Sequence, residues 1–358
     1  MLGLIADDLT GAGDASVQFA KRGWRTVVSW GLTPVLVRGS DPDVIAVTTD
    51  CRALGNEAAE KITADALRAL MSSGVDRVFL KIDSTMRGSV RGQVAGALAA
   101  WRTRHPDARA FVCPAYPLMG RTVESGRLLV KGEPVHETPI GSDPVSPVKT
   151  SEMAELLTQS PSIHLFDAAT DADLMTIAES ISMAGPSVIP VGSGGLAEAV
   201  SEVWSGREET VRRVGFDRRL RLGVERTNPR ILLQVSSLNP VARTQVERLK
   251  AAFPDVVVLL PPAVRGDSVA TVENLAREFS ARLEHEQWDV LGFVGGDGAR
   301  ETLRRLGASG ICIAGSVIEG VPHGVIEGGV ADHMPVFTKA GGFGTEDALV
   351  RCVETIKK

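Results

Sequence analysis

The chain has 358 residues, more than one hydrophobic core usually fills, so we expect two domains. A formal net charge of −5 and an aromatic content of 4% argue against both a nucleic-acid duplex footprint and a base-stacking platform. The four cysteines lie far apart without CxxC spacing, which predicts reduced thiols and excludes the usual zinc-site pattern. Because no apolar run has membrane-spanning length and no signal-peptide pattern opens the chain, we expect a soluble, cytoplasmic protein with no membrane or nucleic-acid partner.

Strand-like and helix-like patterns alternate through the first half of the chain, which predicts an α/β fold with mainly parallel sheets covered by helices. Strands are predicted near 2–6, 25–29, 43–48, 76–82, 109–113, 163–166 and 187–191. Helices are predicted near 12–22, 56–73, 89–102, 151–158, 171–183 and 195–204. The proline-rich stretch 114–150 breaks this rhythm and is predicted to be a long functional loop.

A second α/β pattern follows an arginine-rich segment. Residues 205–230 carry eight arginines and no sustained apolar period, so we interpret them as the inter-domain connection. The elements predicted after it are strands at 231–236, 256–260, 290–294, 311–314 and 334–338 and helices at 241–252, 268–285, 299–306 and 346–356. We therefore predict an N-terminal domain over 1–210, a linker over 211–229 and a C-terminal domain over 230–358.

The beginning of the chain carries the first candidate site. An apolar strand ends on Asp7 and Asp8, and a Thr-Gly-Ala-Gly turn leads through Asp14 into a helix. The free N–H groups at such a helix start favour an anion, whereas crowded carboxylates require a cation, a metal or a substrate hydroxyl. This combination indicates that a hydroxyl is deprotonated or a phosphoryl group is handled here. The competing interpretation is an ordinary α/β opening in which the aspartates only cap the helix.

Two further segments place polar residues where predicted strands end, which is the ligand-binding edge of open α/β sheets. The first is KIDSTMRG, in which Lys81 and Arg87 suit a carboxylate or phosphate, and Asp83 and Ser84 suit hydroxyl groups. Arg52 follows a neighbouring predicted strand. A helix cap with solvated ion pairs is the alternative for both.

The third segment is CPAYPLMGRT. Its prolines and glycine predict a rigid loop, with Arg121 at the same edge as Lys81. Cys113 has no nearby base and is interpreted as a buried structural thiol. His136, in a predicted loop, is a candidate general base, but the simpler interpretation is a polar residue at the surface.

Taken together, the motifs IADDLTGAGD, KIDSTMRG, CPAYPLMGRT, EPVHETPIGSDPVSPV and GSGGLAEAV resemble the four-carbon acid sugar kinases across nearly the whole chain. The resemblance implies ATP-dependent phosphorylation of a short sugar acid. It also implies a sugar-acid-binding N-terminal domain, a nucleotide-binding C-terminal domain and an active site in the cleft between them. It assigns Asp7, Asp8, Asp14, Arg52, Lys81, Asp83, Ser84, Arg87 and Gly88 to the substrate side. We expect Asp8 to be the catalytic base, with Asp14 as the second candidate.

The chain has no Walker A pattern, so its ATP site must be of another type. We expect the nucleotide to bind at Gly-rich turns that follow predicted strands, where backbone N–H groups can contact phosphates. The residues assigned to it are Ser237, Gly295, Gly296, Asp297, Gly298, Gly341 and Gly342, and Asp297 is the expected Mg²⁺ ligand. The resembling family usually has Thr or Ser at 298, Ser at 239 and Pro at 320, whereas this chain has Gly298, Asn239 and Gly320.

These departures leave a second hypothesis, a non-catalytic sugar-acid-binding or regulatory protein with a degenerate nucleotide site. A third, an oxidoreductase, ranks last because no turn fits the dinucleotide fingerprint with its acidic partner. The expected partners are a small sugar acid and Mg-ATP, and a homodimer is left open.

Overall fold

The computed structural model describes residues 1–31, 41–205, 228–261 and 268–358. The described residues form two compact units, one containing the residues up to 205 and the other those from 228 onward. Most of the predicted linker, 211–229, lies outside the described residues, so the predicted domain boundaries remain a prediction. None of the helices in the described part of the chain is long and apolar enough to span a bilayer.

The N-terminal unit is built on a parallel sheet. Its strands are β1 (Leu2–Ala6), β2 (Thr26–Ser29), β3 (Val44–Thr48), β4 (Arg77–Lys81), β5 (Arg109–Cys113), β9 (Ile163–Leu165) and β10 (Val188–Gly192), with β6 (Arg121–Glu124), β7 (Arg127–Val130) and β8 (Glu133–Pro134) forming a separate antiparallel sheet. The parallel strands pair in the order β2-β3-β1-β4-β10-β5-β9. Its helices are α1 (Leu9–Lys21), α2 (Asn56–Ser72), α3 (Val90–Trp101), α4 (Met153–Leu156), α5 (Asp171–Ala184) and α6 (Gly194–Ser205).

The apolar runs explain this arrangement. β1, β3 and β10 are buried along their whole length, as expected for central parallel strands covered on both faces. The prediction differs in two places: the segment 114–150 contains the antiparallel sheet β6-β7-β8, and the helix predicted over 151–158 is the single turn α4.

The C-terminal unit has a mixed sheet. Its strands are β11 (Ile231–Val235), β12 (Val257–Leu259), β13 (Val290–Val294), β14 (Gly310–Ile318), β15 (Val321–Glu327) and β16 (Pro335–Lys339), paired in the order β12-β11-β13-β16-β15-β14. Its helices are α7 (Pro240–Ala252), α8 (Ser268–His285), α9 (Gly296–Arg305) and α10 (Ala348–Lys357).

Pairing is parallel from β12 to β16 and antiparallel through β15 and β14. β15 was not predicted, and α9 begins three residues earlier than expected, directly after Gly295. The α/β fold with mainly parallel, helix-covered sheets is confirmed.

Candidate active site

The polar motifs of the N-terminal unit lie at the carboxyl edge of one parallel sheet, after the adjacent strands β3, β1 and β4 and after β5, which is separated from β4 by β10. Asp7 and Asp8 follow β1, Arg52 lies beyond β3, Lys81 ends β4, and the loop with Tyr116 and Arg121 follows β5. The chain continues from β3 on one side of β1 to β4 on the other, so β1 lies at a switch in strand order, the place where open sheets bind ligands.

Arg52 joins the two carboxylates that follow β1. Its Nε and Nη2 atoms donate to the two oxygens of Asp7, each over 2.7 Å, and its Nη1 donates to Asp8 Oδ2 over 2.9 Å. Asp7 is fully buried. A buried carboxylate is tolerated when a guanidinium meets both of its oxygens, so Asp7 primarily orients Arg52.

Asp8 is the N-cap of α1. Its Oδ1 accepts from the Gly11 N–H over 2.7 Å, and its Oδ2 accepts from the Thr10 hydroxyl over 2.9 Å. The buried Lys81 ammonium lies beside this cap, since a Cβ added to Gly11 would lie 3.2 Å from Lys81 Nζ and 2.5 Å from Asp8 Oδ1. Burial opposes ionisation of Asp8, but the charges of Arg52 and Lys81 outweigh it and lower the pKa of Asp8 below its usual value.

A second charged group follows β4. Arg87 donates from Nη2 to Asp83 Oδ1 over 2.8 Å and from Nε to Asp83 Oδ2 over 3.1 Å, and its Nη1 reaches Asp143 over 3.3 Å. Thr85 donates to Asp83 from both its N–H and its hydroxyl. Burial disfavours the charged form of Asp83, but Arg87 and Arg52 hold its pKa well below the usual range.

The remaining two predicted residues of this segment differ in their surroundings. Ser84 is partly exposed and makes no hydrogen bond with described side chains. Gly88 has a φ of +86°, and a Cβ there would lie 2.8 Å from the Arg52 carbonyl oxygen, so it allows the segment to pack against Arg52.

Asp14 lies apart from Asp8, against the first turn of α6. A Cβ on Gly194 would be 2.5 Å from Asp14 Oδ2 and 3.0 Å from the Tyr116 ring, so only glycine fits between the carboxylate and the helix start. The N-terminus of α6 favours a negative charge at this place. The structure therefore puts the two candidate bases in different surroundings.

Neither cysteine at this edge is activated. Burial raises the pKa of Cys51 to about 11 and that of Cys113 to about 12, which agrees with structural thiols. His136 shares a hydrogen bond of 2.7 Å with the buried Ser151 hydroxyl.

In the C-terminal unit, the predicted nucleotide residues lie in three loops after the adjacent parallel strands β11, β13 and β16. The loops are tightly interlocked: a Cβ on Gly341 would lie 1.8 Å from Ser237 Oγ, and one on Gly295 would lie 2.6 Å from Ser236 Oγ. The Ser237 N–H donates to the Val294 carbonyl over 3.3 Å. The glycines therefore allow the three loops to pack closely against one another at the start of α9, and the N-terminus of a helix is the kind of surface that accepts phosphate groups.

Asp297 is exposed in the first turn of α9 and makes no hydrogen bond or ion pair with the described residues. Gly296 precedes it in the same turn, and Gly342 lies against Asn239, which caps α7 by accepting from the Val241 N–H over 2.9 Å. Among the described residues, no group of three or more His, Cys, Asp or Glu side chains could hold a metal ion. A single exposed carboxylate fits Mg²⁺, which usually takes one or two protein carboxylates and further oxygens from substrate phosphates.

The structure accounts for two of the sequence departures. At position 298 a Cβ would lie 2.4 Å from both Cβ and Oγ of Ser236, so the Ser236 hydroxyl occupies the volume that a residue-298 side chain would need. Gly320 has a φ of +70°, which proline cannot adopt, and the Phe343 ring packs directly over it.

Sequence reasoning missed several residues. Asp143 reaches Arg87 from a loop 56 positions away, and no local pattern predicted that contact. Ser236 was not assigned to the nucleotide side, although its neighbour Ser237 was. Lys339, fully buried at the end of β16, donates to the Ala340 carbonyl over 2.9 Å, and burial lowers its pKa to about 8. Only the charge of Lys339 in an apolar strand could have drawn attention to it.

Comparison with known proteins gives two family matches and several full-length relatives. Residues 2–162 match a model described as a sugar-binding N-terminal domain, and residues 263–349 match a nucleotide-binding C-terminal domain. The chain is 35% identical over 401 residues to a D-threonate kinase of Bordetella bronchiseptica, covering 100% of this chain and 98% of the relative. It is 26% identical over 438 residues to a D-erythronate kinase of Heliobacterium modesticaldum, covering 98% and 96%. A solved structure from Bordetella bronchiseptica, a domain-swapped dimer with bound citrate, is 33% identical with a TM-score of 0.54, covering 99% of this chain and 98% of that one.

Proposed function

Because the chain belongs to the family of four-carbon acid sugar kinases, we propose that it transfers the γ-phosphoryl group of ATP to a hydroxyl of a small sugar acid. The substrate is an acid of the size of threonate, erythronate or an oxo analogue. The observation that carries this proposal is the match of both family domains, together with relatives named as kinases that are covered along nearly their full length. Those names support the catalytic interpretation over a non-catalytic binding protein.

The N-terminal unit supplies the acid site. Arg52, Lys81 and Arg87 place cationic groups at the carboxyl edge of the sheet among the carboxylates they pair with, and Asp83 and Ser84 offer hydrogen-bond partners for hydroxyl groups. The proton of the attacking hydroxyl passes to Asp8 or Asp14 as the phosphoryl group arrives. Asp8 is held ionised by Arg52 and Lys81 and can accept a proton, although its lowered pKa makes it a weak base.

The C-terminal unit supplies the nucleotide site. Backbone N–H groups at the start of α9, together with the Ser237 hydroxyl, contact the phosphates where Gly295, Gly298 and Gly341 let the loops pack closely. Asp297 would hold Mg²⁺, which neutralises phosphate charge when bound. The Gly-rich loop after β16 lets backbone approach the nucleotide closely.

We also propose that the protein acts in the cytoplasm and assembles as a homodimer. The dimer has support from the 33% identical relative, which was solved as a domain-swapped dimer. Light scattering on the purified protein measures this directly, and a monomeric mass at micromolar concentration would contradict it.

A panel of C4 and C5 sugar acids, including oxo forms, tests the function through coupled detection of ADP release. We expect one acid to give turnover and the others little or none. Failure of the whole panel, with folded protein and Mg-ATP in excess, would contradict the proposal.

The variants Asp8→Asn and Asp14→Asn identify the base. Asparagine caps a helix as well as aspartate does, so Asp8→Asn removes the charge and keeps the cap. Loss of the base lowers kcat by about 10²–10⁴-fold. The other variant should change kcat much less, and equal small effects at both positions would exclude both residues.

A further inference from the structure

We infer that Arg121 binds the carboxylate of the sugar acid and so selects acids over neutral polyols. This inference rests on the proposed function and adds a residue to its substrate side. Arg121 opens β6 in the small antiparallel sheet, just beyond the loop that follows β5.

The other two arginines at this edge already have carboxylate partners. Asp7 meets Arg52 through both of its oxygens, with Asp8 on the third nitrogen. Asp83 meets Arg87 in the same two-pronged way. A substrate carboxylate would have to displace these short, buried contacts before it could use either guanidinium in a two-pronged geometry.

Lys81 is likewise occupied. Its ammonium donates to the Ile82 carbonyl over 3.0 Å and lies against the α1 cap beside Asp8. Its charge therefore supports Asp8, which also accepts from Arg52.

Arg121 differs from all three. Its Nη1 donates to the Met119 carbonyl, its buried Nε has no hydrogen-bond partner, and none of the described carboxylates forms an ion pair with it. Burial lowers the pKa of Arg121, the charge of Asp83 opposes this shift, and the charge of Arg87 adds to it. A half-buried guanidinium without an anion is energetically costly, so a bound anion would offset part of this cost.

The backbone holds Arg121 in place. Its N–H donates to the Tyr116 carbonyl over 3.1 Å and its carbonyl accepts from the Tyr116 N–H over 2.8 Å. Gly120, with a φ of +67°, makes the turn between them. These bonds hold the backbone, and the bond from Nη1 to the Met119 carbonyl holds the side chain; the guanidinium is a planar fork, which suits a planar carboxylate.

The competing assignment for the same side chain is the transferring phosphoryl group. A guanidinium that binds the substrate carboxylate affects acids alone. A guanidinium that stabilises the phosphoryl group affects every acceptor equally, and it does so in kcat.

The test compares the best acid of the panel with its uncharged amide in wild type, Arg121→Gln and Arg121→Lys. For Arg121→Gln we expect KM for the acid to rise about 10–100-fold, the loss expected for a charge-assisted hydrogen bond, with kcat changed less than about 3-fold. The amide, a poor substrate of wild type, should be unaffected, so the preference for the acid falls by the same factor. Arg121→Lys keeps the positive charge without the planar fork, so its KM for the acid should lie between those of wild type and Arg121→Gln.

The matched control is Arg127→Gln, on the next strand of the same small sheet, whose side chain is half exposed and paired with Glu152. It should behave as wild type. Equal losses of kcat for acid and amide would assign Arg121 to the phosphoryl group, and an unchanged KM in both Arg121 variants would remove it from the site; either result overturns the inference. If wild type turns over no acid, the proposed function fails separately, and calorimetric titration of the acid into wild type and both Arg121 variants still decides the inference.

Discussion

Arg52 occupies a different position from the surface arginines of this chain. Its guanidinium contacts the fully buried Asp7 and the N-cap Asp8 at once, with side-chain exposure of 22% for Arg52 and 0% for Asp7. Removing one member of a buried pair leaves an uncompensated charge, whereas removing an exposed pair costs little.

We therefore expect Arg52→Met to lower the free energy of unfolding by about 3–5 kcal/mol, because Asp7 is left buried without its partner. Urea denaturation of the purified protein measures this. The control is Arg68→Met, whose pair with Asp65 is about half exposed and should contribute less than about 1 kcal/mol. Similar effects in both variants would show that the Arg52 pair is not a buried one in solution.

Asp83 predicts a pH dependence. Since Arg87 and Arg52 hold its pKa well below the unfolded value, its contribution to stability is present above that value and is lost as the pH falls through the folded pKa. The wild-type unfolding free energy should thus decline from about pH 5 downward, and the decline should be shallower in Asp83→Asn. Denaturation curves between pH 7 and pH 3 check this, and two parallel declines would contradict it.

At the scale of elements, the site depends on strand–turn–helix junctions. The junctions after β1, β13 and β16 were predictable because a local apolar run followed by small residues marks the strand end, although the helices after β1 and β13 begin three residues earlier than predicted. Partners that are distant in sequence were not: Asp143 for Arg87, β15 between β14 and β16, and the antiparallel sheet within 114–150 all depend on tertiary pairing.

The proximity of Ser236 to position 298 is another feature that depends on tertiary packing. From the sequence alone, Gly298 reads as a lost hydroxyl. The structure shows the Ser236 hydroxyl in the adjoining space, 2.4 Å from where a Cβ of residue 298 would lie. Which side chain fills a shared volume is a property of packing and has no local sequence signal.

Ser236→Ala should therefore weaken Mg-ATP binding several-fold, since the hydroxyl next to α9 is lost. Gly298→Ser alone should also weaken binding, because its Cβ collides with Ser236. The double variant Ser236→Gly/Gly298→Ser, which removes the collision and returns a hydroxyl, should bind better than Gly298→Ser. Calorimetric titration of Mg-ATP measures all three, and a double variant that binds no more tightly than Gly298→Ser would contradict the shared-volume interpretation.

At the scale of the whole molecule, each compact unit is proposed to bind one ligand. Hydrogen–deuterium exchange on the full chain separates them. The sugar acid alone should protect amides around 7–14 and 81–89, and Mg-ATP alone should protect those at 236–239, 295–299 and 340–344. Protection of the N-terminal segments by nucleotide alone would contradict this assignment.

The most direct test of the central claim is calorimetric titration of Mg-ATP into the full-length protein, with and without threonate-like acids, followed by detection of ADP. We expect Mg-ATP to bind with micromolar to sub-millimolar affinity and one acid to trigger ADP release. Binding of an acid with no detectable nucleotide binding would contradict the kinase function and leave the N-terminal unit as a sugar-acid sensor or scaffold.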